Sequence, residues 1–221
     1  MLALGFFICL STQARDEVFF GPGGSITKLK LIDDTSILSL RVDAIVNPAN
    51  VFLANGGGLA YAIAQQAGPA LQQAIDALPK KANGQYLNVG QALSTPAFNL
   101  TRPATWHAGG IVYIIHTVGP DVRDPQQAAH KEALLKSAYT EALNVASKHP
   151  EIKSIAFPSI STGIFCYPIE EAMPIAINAV AQWIQEHPNR FEVVVFSIDR
   201  SKQTDSDLYY NYLLNNFGLW W

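Results

Sequence analysis

The chain is poor in cysteine and in recognisable metal ligands. Its only cysteines, Cys9 and Cys166, are too few and too far apart for a disulfide framework or a zinc site. The five histidines lack the spacing of metal ligands. His116, inside a predicted strand, is expected to be structural because no carboxylate or nucleophile lies beside it in sequence. We therefore expect no metal ion and no cofactor.

Charge is scarce as well. Charged residues make up 15% of the 221 residues, and the net charge is −3. Binding to a nucleic acid duplex needs a strong basic stripe, which the sequence lacks. Apolar residues make up 49% of the chain, which is typical of a globular protein with a substantial core. We expect a monomer that binds no nucleic acid duplex.

Apolar runs of membrane-spanning length are missing. Residues 1–10 are nearly all apolar, but ten residues cannot span a bilayer. No basic residue precedes this run, although residues 11–14 resemble the cleavage site of a secretory signal. Two interpretations stay open: a segment packed on the core of a cytoplasmic protein, or a signal peptide over residues 1–14 of a secreted one. We assign residues 1–24 to this extension and residues 25–221 to a single domain.

Two common nucleotide-binding motifs are also absent. The sequence has no G-x-x-x-x-G-K-[ST] motif and no G-x-G-x-x-G pattern after a predicted strand. Neither a nucleotide triphosphatase nor an ordinary dehydrogenase is therefore expected.

A glycine-rich run is the most informative feature that is present. Residues 47–58 lie between an apolar segment, residues 42–46, and a helical pattern that begins near Leu59. The run ends in three consecutive glycines, which let a ligand approach the main chain closely. Free N–H groups and the helix dipole attract anions at a helix N-terminus. This arrangement indicates a phosphate-bearing ligand.

Strand and helix patterns alternate along the rest of the chain. Strands are predicted at 26–32, 42–47, 89–96, 111–117, 155–158 and 191–198. Helices are predicted at 59–78 with an interruption at Gly68-Pro69, and at 131–149, 169–186 and 205–216, while residues 99–110 are predicted to form an exposed excursion. Strands separated by helices imply a largely parallel sheet covered on both faces, with ligands bound beyond the strands' carboxyl ends.

A second loop of small residues, 159–168, follows the predicted strand 155–158. Neither this loop nor the glycine-rich run contains a lysine. Together they offer many main-chain N–H groups, each contributing ~1.5–3 kcal/mol when it binds a phosphate oxygen. Four or five such bonds would account for micromolar binding, about −8 kcal/mol, after association costs. The sequence predicts a diphosphate held mainly by backbone.

These segments resemble a macro domain. The blocks that match, in the family's order, are Val42–Asn50, Gly56–Gly58, Ala60–Ala64, Ile115–Pro120 and Ala156–Phe165. The resemblance implies a three-layer α/β/α sandwich with a central mixed, largely parallel sheet. It also implies binding of ADP-ribose, free or attached to protein. Two functional alternatives remain: weak hydrolysis of mono-ADP-ribosyl or O-acetyl-ADP-ribose links, and non-catalytic reading of ADP-ribosylated proteins.

The resemblance implies roles for individual residues. Asp34 would accept the adenine amino group and Thr35 would offer the next amide, although a turn or helix cap is the alternative for this pair. Asn50 would contact the distal ribose and orient a water as the catalytic residue, or would only cap its loop. Asn47 would brace that loop. The other expected ligand contacts are Asn55, Gly56, Gly57, Gly58, Ser161, Thr162, Gly163, Ile164, Phe165 and Ile198.

Besides Asp33 and Thr35, which stand where the family more often has Gly and Ile, four positions depart from the family pattern. Ala60 stands where many hydrolases have an acidic residue, so hydrolysis would rest on Asn50, a bound water and the substrate's own phosphate. Asn55 replaces a histidine of other hydrolytic members. Ile198 replaces an aromatic that stacks on adenine, which predicts adenine binding weaker by about tenfold. Cys166 replaces a common glycine and is expected to be a small buried thiol.

Overall fold

The computed structural model describes residues 16–19, 21–100, 110–199 and 201–219, and only the backbone of Gln203. The alternatives for residues 1–14 therefore concern residues outside this set. Most of the predicted excursion, residues 101–109, also lies outside the described residues.

Seven strands, six α-helices and three short 3₁₀ helices form within the described residues. The strands are β1 (Asp16–Phe19), β2 (Lys28–Ile32), β3 (Ala44–Pro48), β4 (Ala92–Pro96), β5 (Tyr113–Thr117), β6 (Ser154–Phe157) and β7 (Val193–Ser197). The helices are α1 (Gly58–Ala67), α2 (Pro69–Asp76), α3 (Pro125–Ala128), α4 (Lys131–Ser147), α5 (Ile169–Glu186) and α6 (Gln203–Phe217).

The strands form one mixed sheet in the order β1-β2-β7-β6-β3-β5-β4. The five strands from β2 to β5 in this order run parallel. The edge strands β1 and β4 run antiparallel to β2 and β5. The predicted mixed, largely parallel sheet is confirmed. β1 lies within residues 1–24, which the sequence analysis assigned to an extension, and it pairs with β2 over all four of its residues.

Helices cover both faces of the sheet. On one face, α1 and α2 bury Ile63, Leu71 and Ile75 in a core shared with β3, β5 and β7. On the other face, α4, α5 and α6 pack a second core that includes Trp183 and Leu213. This is the three-layer α/β/α arrangement that the sequence predicted. Within the described residues, no helix combines the length and the apolarity that crossing a bilayer requires.

The break between α1 and α2 has a local cause. Gly68 adopts φ 81°, a conformation that favours glycine, and Pro69 begins α2, where its missing N–H costs no helical hydrogen bond. The predicted interruption at Gly68-Pro69 is confirmed. α5 spans the same residues as its prediction, since its apolar periodicity is sustained over all five turns.

Asp43, next to β3, fixes the start of this strand against β6. Its carboxylate accepts hydrogen bonds from the N–H groups of Lys153 and Ser154 at 2.8 and 2.7 Å, and from Ser154 Oγ at 2.8 Å. Its own N–H donates back to Ser154 Oγ at 2.9 Å. The two strands that carry the ligand loops are therefore aligned at their starts.

Candidate ligand-binding cleft

A cleft of about 790 Å³ lies beyond the carboxyl ends of four adjacent parallel strands. It is lined by segments that follow β2, β3, β6 and β7, which lie within 33–37, 48–60, 158–165 and 197–205. The location agrees with the rule that ligands of open parallel sheets bind at this edge. Both predicted loops contribute to the cleft.

Twelve of the predicted site residues line this cleft. They are Asp34, Thr35, Asn50, Gly56, Gly57, Gly58, Ser161, Thr162, Gly163, Ile164, Phe165 and Ile198. Ala60, where hydrolytic members carry an acidic residue, also lines it.

Asn47 and Asn55 do not line the cleft, so the structure does not bring these two predicted ligand contacts to it. Asn47 is buried, and its Nδ2 donates to Nδ1 of His116 at 3.0 Å. Asn55 donates through Nδ2 to Gln72 Oε1 of α2 at 3.2 Å. Asn47 therefore joins the end of β3 to β5 through His116, and Asn55 ties its loop to α2.

The two loops meet across the cleft. A Cβ placed on Gly57 would lie 3.5 Å from Ile164 Cδ1, and one on Gly58 would lie 4.0 Å from the same atom. Side chains larger than hydrogen at these glycines would therefore extend into the space between the loops. The structure brings together the two segments that the sequence predicted to share one diphosphate.

Several main-chain N–H groups of these loops have no acceptor. Within the described residues, the amides of Gly56, Gly57, Gly163, Ile164 and Phe165 donate to no other protein group. Such amides attract anions strongly, especially beside the N-terminus of α1, where the helix dipole adds positive potential. The protein's own carbonyls do not occupy the donors that a diphosphate would need.

The second loop is held in shape from below. Tyr139 OH accepts a hydrogen bond from the Ile160 N–H and donates to the Pro158 carbonyl, both at 3.2 Å. Burial raises the pKa of Tyr139 well above its usual range, so the hydroxyl keeps its proton and can donate. Thr162 Oγ1 donates to the Ser159 carbonyl at 3.1 Å. These bonds fix the loop before a ligand arrives.

Asn50 uses most of its side-chain amide to organise its own loop. Its Oδ1 accepts from the N–H groups of Phe52 and Ala54, both at 3.0 Å, and its Nδ2 donates to the Ala54 carbonyl at 3.1 Å. These bonds use both lone pairs of the amide oxygen and one of the two Nδ2 hydrogens, so one N–H is left for a ligand. The structure therefore combines the predicted cap with one donor at the cleft, rather than a free acceptor for water.

The end of the cleft beside β2 and β7 is built around two aspartates with different surroundings. Asp33 is 1% exposed and its carboxylate accepts a hydrogen bond from Ser206 Oγ in the first turns of α6. Asp34 is exposed and lines the cleft. Ile198 is buried, and its N–H donates to the Ile32 carbonyl at 2.9 Å, which joins the ends of β7 and β2.

Sequence reasoning missed three charged residues at this end. Asp199, Lys202 and Asp205 line the cleft, and Lys202 Nζ lies 3.9 Å from Asp205 Oδ2. Hydrogen bonds from Ser201 lower the pKa of Asp199, whereas burial raises the pKa of Asp205. Their position just after the carboxyl end of β7 was the signal that could have identified them.

The prediction that Cys166 is buried is wrong. Cys166 is exposed and has φ 56°, in the left-handed region that favours glycine. Its N–H donates to the Gly163 carbonyl at 3.0 Å, which closes a tight turn and directs the side chain outward. A backbone requirement, rather than space in the core, explains why a glycine is common at this position.

The prediction that His116 is structural is confirmed. It is fully buried between Asn47 and Thr95, whose Oγ1 lies 2.9 Å from His116 Nε2. Because the Asn47 amide donates to Nδ1, the neutral ring carries its proton on Nε2, which donates to Thr95. Burial lowers the pKa of His116 to about 4. In the described residues, no three His, Cys, Asp or Glu side chains are grouped so that they could hold a metal ion.

Comparison with known proteins gives consistent matches in sequence. The family model described as "Macro domain" matches residues 46–176. The macro domain-containing protein TTE0995 of Caldanaerobacter subterraneus subsp. tengcongensis is 36% identical over 182 residues, which cover 82% of this chain and 95% of that protein. ADP-ribose glycohydrolase MACROD1 of Bos taurus is 35% identical, and the match covers 78% of this chain and 47% of that longer protein. O-acetyl-ADP-ribose deacetylase of Salmonella newport is 41% identical over 68% of this chain and 76% of its own.

Solved structures give the same result. The Oceanobacillus iheyensis macrodomain with ADP has a TM-score of 0.72 and 33% identity, covering 86% of this chain and 93% of the other. The Trypanosoma brucei macrodomain in complex with ADP-ribose has a TM-score of 0.67 and 25% identity, covering 84% and 68%.

Proposed function

The chain belongs to the macro domain family, and we propose that it binds ADP-ribose, free or linked to protein, and slowly hydrolyses mono-ADP-ribosyl or O-acetyl-ADP-ribose links. The observation that carries the proposal is the set of free main-chain amides on two loops that meet across one cleft. These donors match a diphosphate, and the cleft of about 790 Å³ is also lined by Asn50 and by residues within 33–37 and 197–205, which can contact the rest of the ligand.

The charges of the cleft support one direction of the bound ligand. Carboxylates at the end beside β2 and β7 repel phosphate and accept hydrogen bonds from the amino group of a base, so adenine is proposed to lie there against Asp34 and Thr35. The diphosphate is proposed to bind the free amides of Gly56 and Gly57 on one loop and of residues 163–165 on the other. The second ribose, with any link to protein, is then placed beside Asn50.

Hydrolysis is supported by the names of the relatives, an ADP-ribose glycohydrolase and an O-acetyl-ADP-ribose deacetylase. In this cleft, Asn50 offers one Nδ2 hydrogen to the ribose, and Ala60 offers no base. We propose that Asn50 positions the ribose and that the attacking water receives no help from a protein carboxylate. A slow rate follows, since general-base catalysis contributes typically ~10²–10⁴-fold.

A non-catalytic reader is the second candidate, and Ala60 is the observation that favours it. The same cleft would hold the ligand, but no side chain would activate a water. The two candidates differ only in whether the link is broken.

Two measurements test the proposal. Titration calorimetry with ADP-ribose, and with AMP as the control that lacks the second phosphate and ribose, should give micromolar and much weaker binding respectively. Equal affinities would contradict the role of the amides. Incubation with a mono-ADP-ribosylated protein should release ADP-ribose, and Asn50→Ala should release less. If the unmodified protein binds ADP-ribose but releases none from the modified protein, the non-catalytic reader is the function that fits.

The remaining expectations are proposals of the same kind. We propose that the protein is a monomer, binds no nucleic acid duplex and resides in the cytoplasm. The low charge supports the absence of duplex binding. The missing basic residue before the apolar run 1–10 supports the cytoplasmic location. Light scattering, a salt titration with duplex DNA, and cell fractionation with N-terminal sequencing test the three statements in turn.

A further inference from the structure

One rim of the cleft carries three exposed apolar side chains, Phe52, Tyr61 and Ile164, which we call the apolar rim. Their exposed fractions are 53%, 52% and 61%. They are three of only five large apolar side chains that are exposed among the described residues. Isolated exposed apolar residues are common on protein surfaces, but a group of them beside a binding site marks an interaction surface.

Each member of the apolar rim is attached to a residue that lines the cleft. The Phe52 N–H donates to Asn50 Oδ1 at 3.0 Å, and the Tyr61 N–H donates to the Gly57 carbonyl at 3.3 Å. Ile164 Cδ1 lies 3.5 Å from the Cβ position of Gly57. The apolar rim therefore adjoins the segments of the cleft that contain Asn50 and the glycine triplet.

The two segments that carry the apolar rim contain no charged residue of their own. No charged residue occurs between Asp43 and Asp76, which covers the first loop and all of α1, or between Lys153 and Glu170, which covers the second loop. The opposite end of the cleft carries Asp34 and other carboxylates. The side chains of the apolar rim therefore suit a neutral apolar partner. Asp121 and Arg123, which flank the contact of Val122 with Phe165 of the second loop, form an ion pair with each other.

We infer that the apolar rim docks the polypeptide to which ADP-ribose is attached, through an apolar residue next to the modified side chain. The inference rests on the proposed function, because a ligand with its base at the carboxylate end leaves the cleft beside Asn50. A carrier chain linked to the second ribose must then pass over Phe52 and Tyr61. The apolar rim selects among carrier sequences, and the cleft binds the nucleotide.

Three probes separate the apolar rim from the cleft. They are free ADP-ribose, a synthetic peptide that carries ADP-ribose on a non-cleavable link between two leucines, and the same peptide with two serines in their place. Phe52→Ser and Tyr61→Ser remove rim side chains that do not line the cleft. Ile26→Ser is the matched control, since Ile26 is 67% exposed and lies outside both the cleft and its rim.

The unmodified protein should bind the leucine peptide about tenfold more tightly than the serine peptide, as expected for burial of one apolar side chain. Phe52→Ser and Tyr61→Ser should each reduce this ratio to about threefold or less, with unchanged affinity for free ADP-ribose. Ile26→Ser should keep the full ratio. Equal binding of the two peptides by the unmodified protein, or the same loss in Ile26→Ser, would overturn the inference while free ADP-ribose still binds. Failure to bind free ADP-ribose would overturn the proposed function itself.

Discussion

Gly119 packs directly against Ser161 of the second ligand loop. A Cβ built on Gly119 would lie 2.2 Å from Ser161 Oγ and 2.5 Å from Ile160 Cγ2, distances that real Cβ atoms do not show. Ser161 itself has φ 68°, an uncommon conformation for a residue with a side chain. The segment that follows β5 thus holds the second loop in a conformation that is not intrinsically favoured.

Gly119→Ala is therefore expected to displace the second loop and its amides. Overpacking of this kind costs about 1–3 kcal/mol of folding free energy. We expect lower stability in urea unfolding. We also expect about tenfold weaker ADP-ribose binding by calorimetry, because a single lost amide–phosphate hydrogen bond costs ~1.5–3 kcal/mol of binding free energy.

A second substitution tests the cause. Ser161→Gly removes the Oγ atom and suits the positive φ, so it should recover part of the loss in the double variant. The recovery should be incomplete because the Ile160 contact remains. Strictly additive effects of the two substitutions would show that Gly119 does not act through Ser161.

Much of the fold and of the cleft could be predicted because the determining signals are local. The break at Gly68-Pro69 and the bounds of α5 depend on residues within the elements themselves. β1 escaped prediction because its four residues form a strand only by pairing with β2. The hydrogen-bond partners of side chains could not be predicted either. No local sequence pattern shows that the amide oxygen of Asn50 accepts from two N–H groups of its own loop.

The acidic end of the cleft shows the same limit. Lys202 lies just before α6 and Asp205 lies in its first turn. Their approach to the cleft follows from the contact between Ser206 and the buried Asp33. That contact joins residues 173 positions apart in the chain. A long-range side-chain contact of this kind has no periodic signature in the sequence.

Asp33 and Asp34 should respond differently to substitution, although they are neighbours. Asp34→Ala removes an exposed carboxylate that is proposed to bind adenine, so ADP-ribose affinity should fall by ~1.5–3 kcal/mol with unchanged stability. Asp33→Ala removes the buried acceptor of Ser206 and should lower the free energy of unfolding by ~1–3 kcal/mol. Calorimetry and urea unfolding of both variants separate the effects. An unchanged affinity of Asp34→Ala would mean that the adenine assignment is wrong.

Ala60→Asp should raise the rate of ADP-ribose release if the missing carboxylate limits hydrolysis. Ala60 lines the cleft at the first turn of α1 and is 8% exposed, so a short acidic side chain there would face the proposed second ribose. General-base catalysis predicts an increase of about 10²-fold. Ala60→Asn is the matched control of equal size without a base. Equal rates for the two variants would show that the absence of a carboxylate is not the limiting factor.

His116 should make the stability of the protein depend on pH between 6.5 and about 4. The pKa of His116 falls from 6.5 to about 4 on burial, so the folded protein disfavours the charged ring. The unfolded chain binds the proton more tightly, and stability is therefore complete above pH 6.5 and declines as the pH falls towards 4. The slope should approach about 1.4 kcal/mol per pH unit, with a total loss of about 3 kcal/mol.

Urea unfolding between pH 7.5 and 4.5 measures this effect as roughly one proton bound on unfolding. His116→Gln keeps a polar side chain between Asn47 and Thr95 but does not titrate, so its slope should be lower by that one proton. The remaining histidines are present in both proteins and cancel in the difference. Parallel pH profiles of the two proteins would show that His116 is not the group responsible.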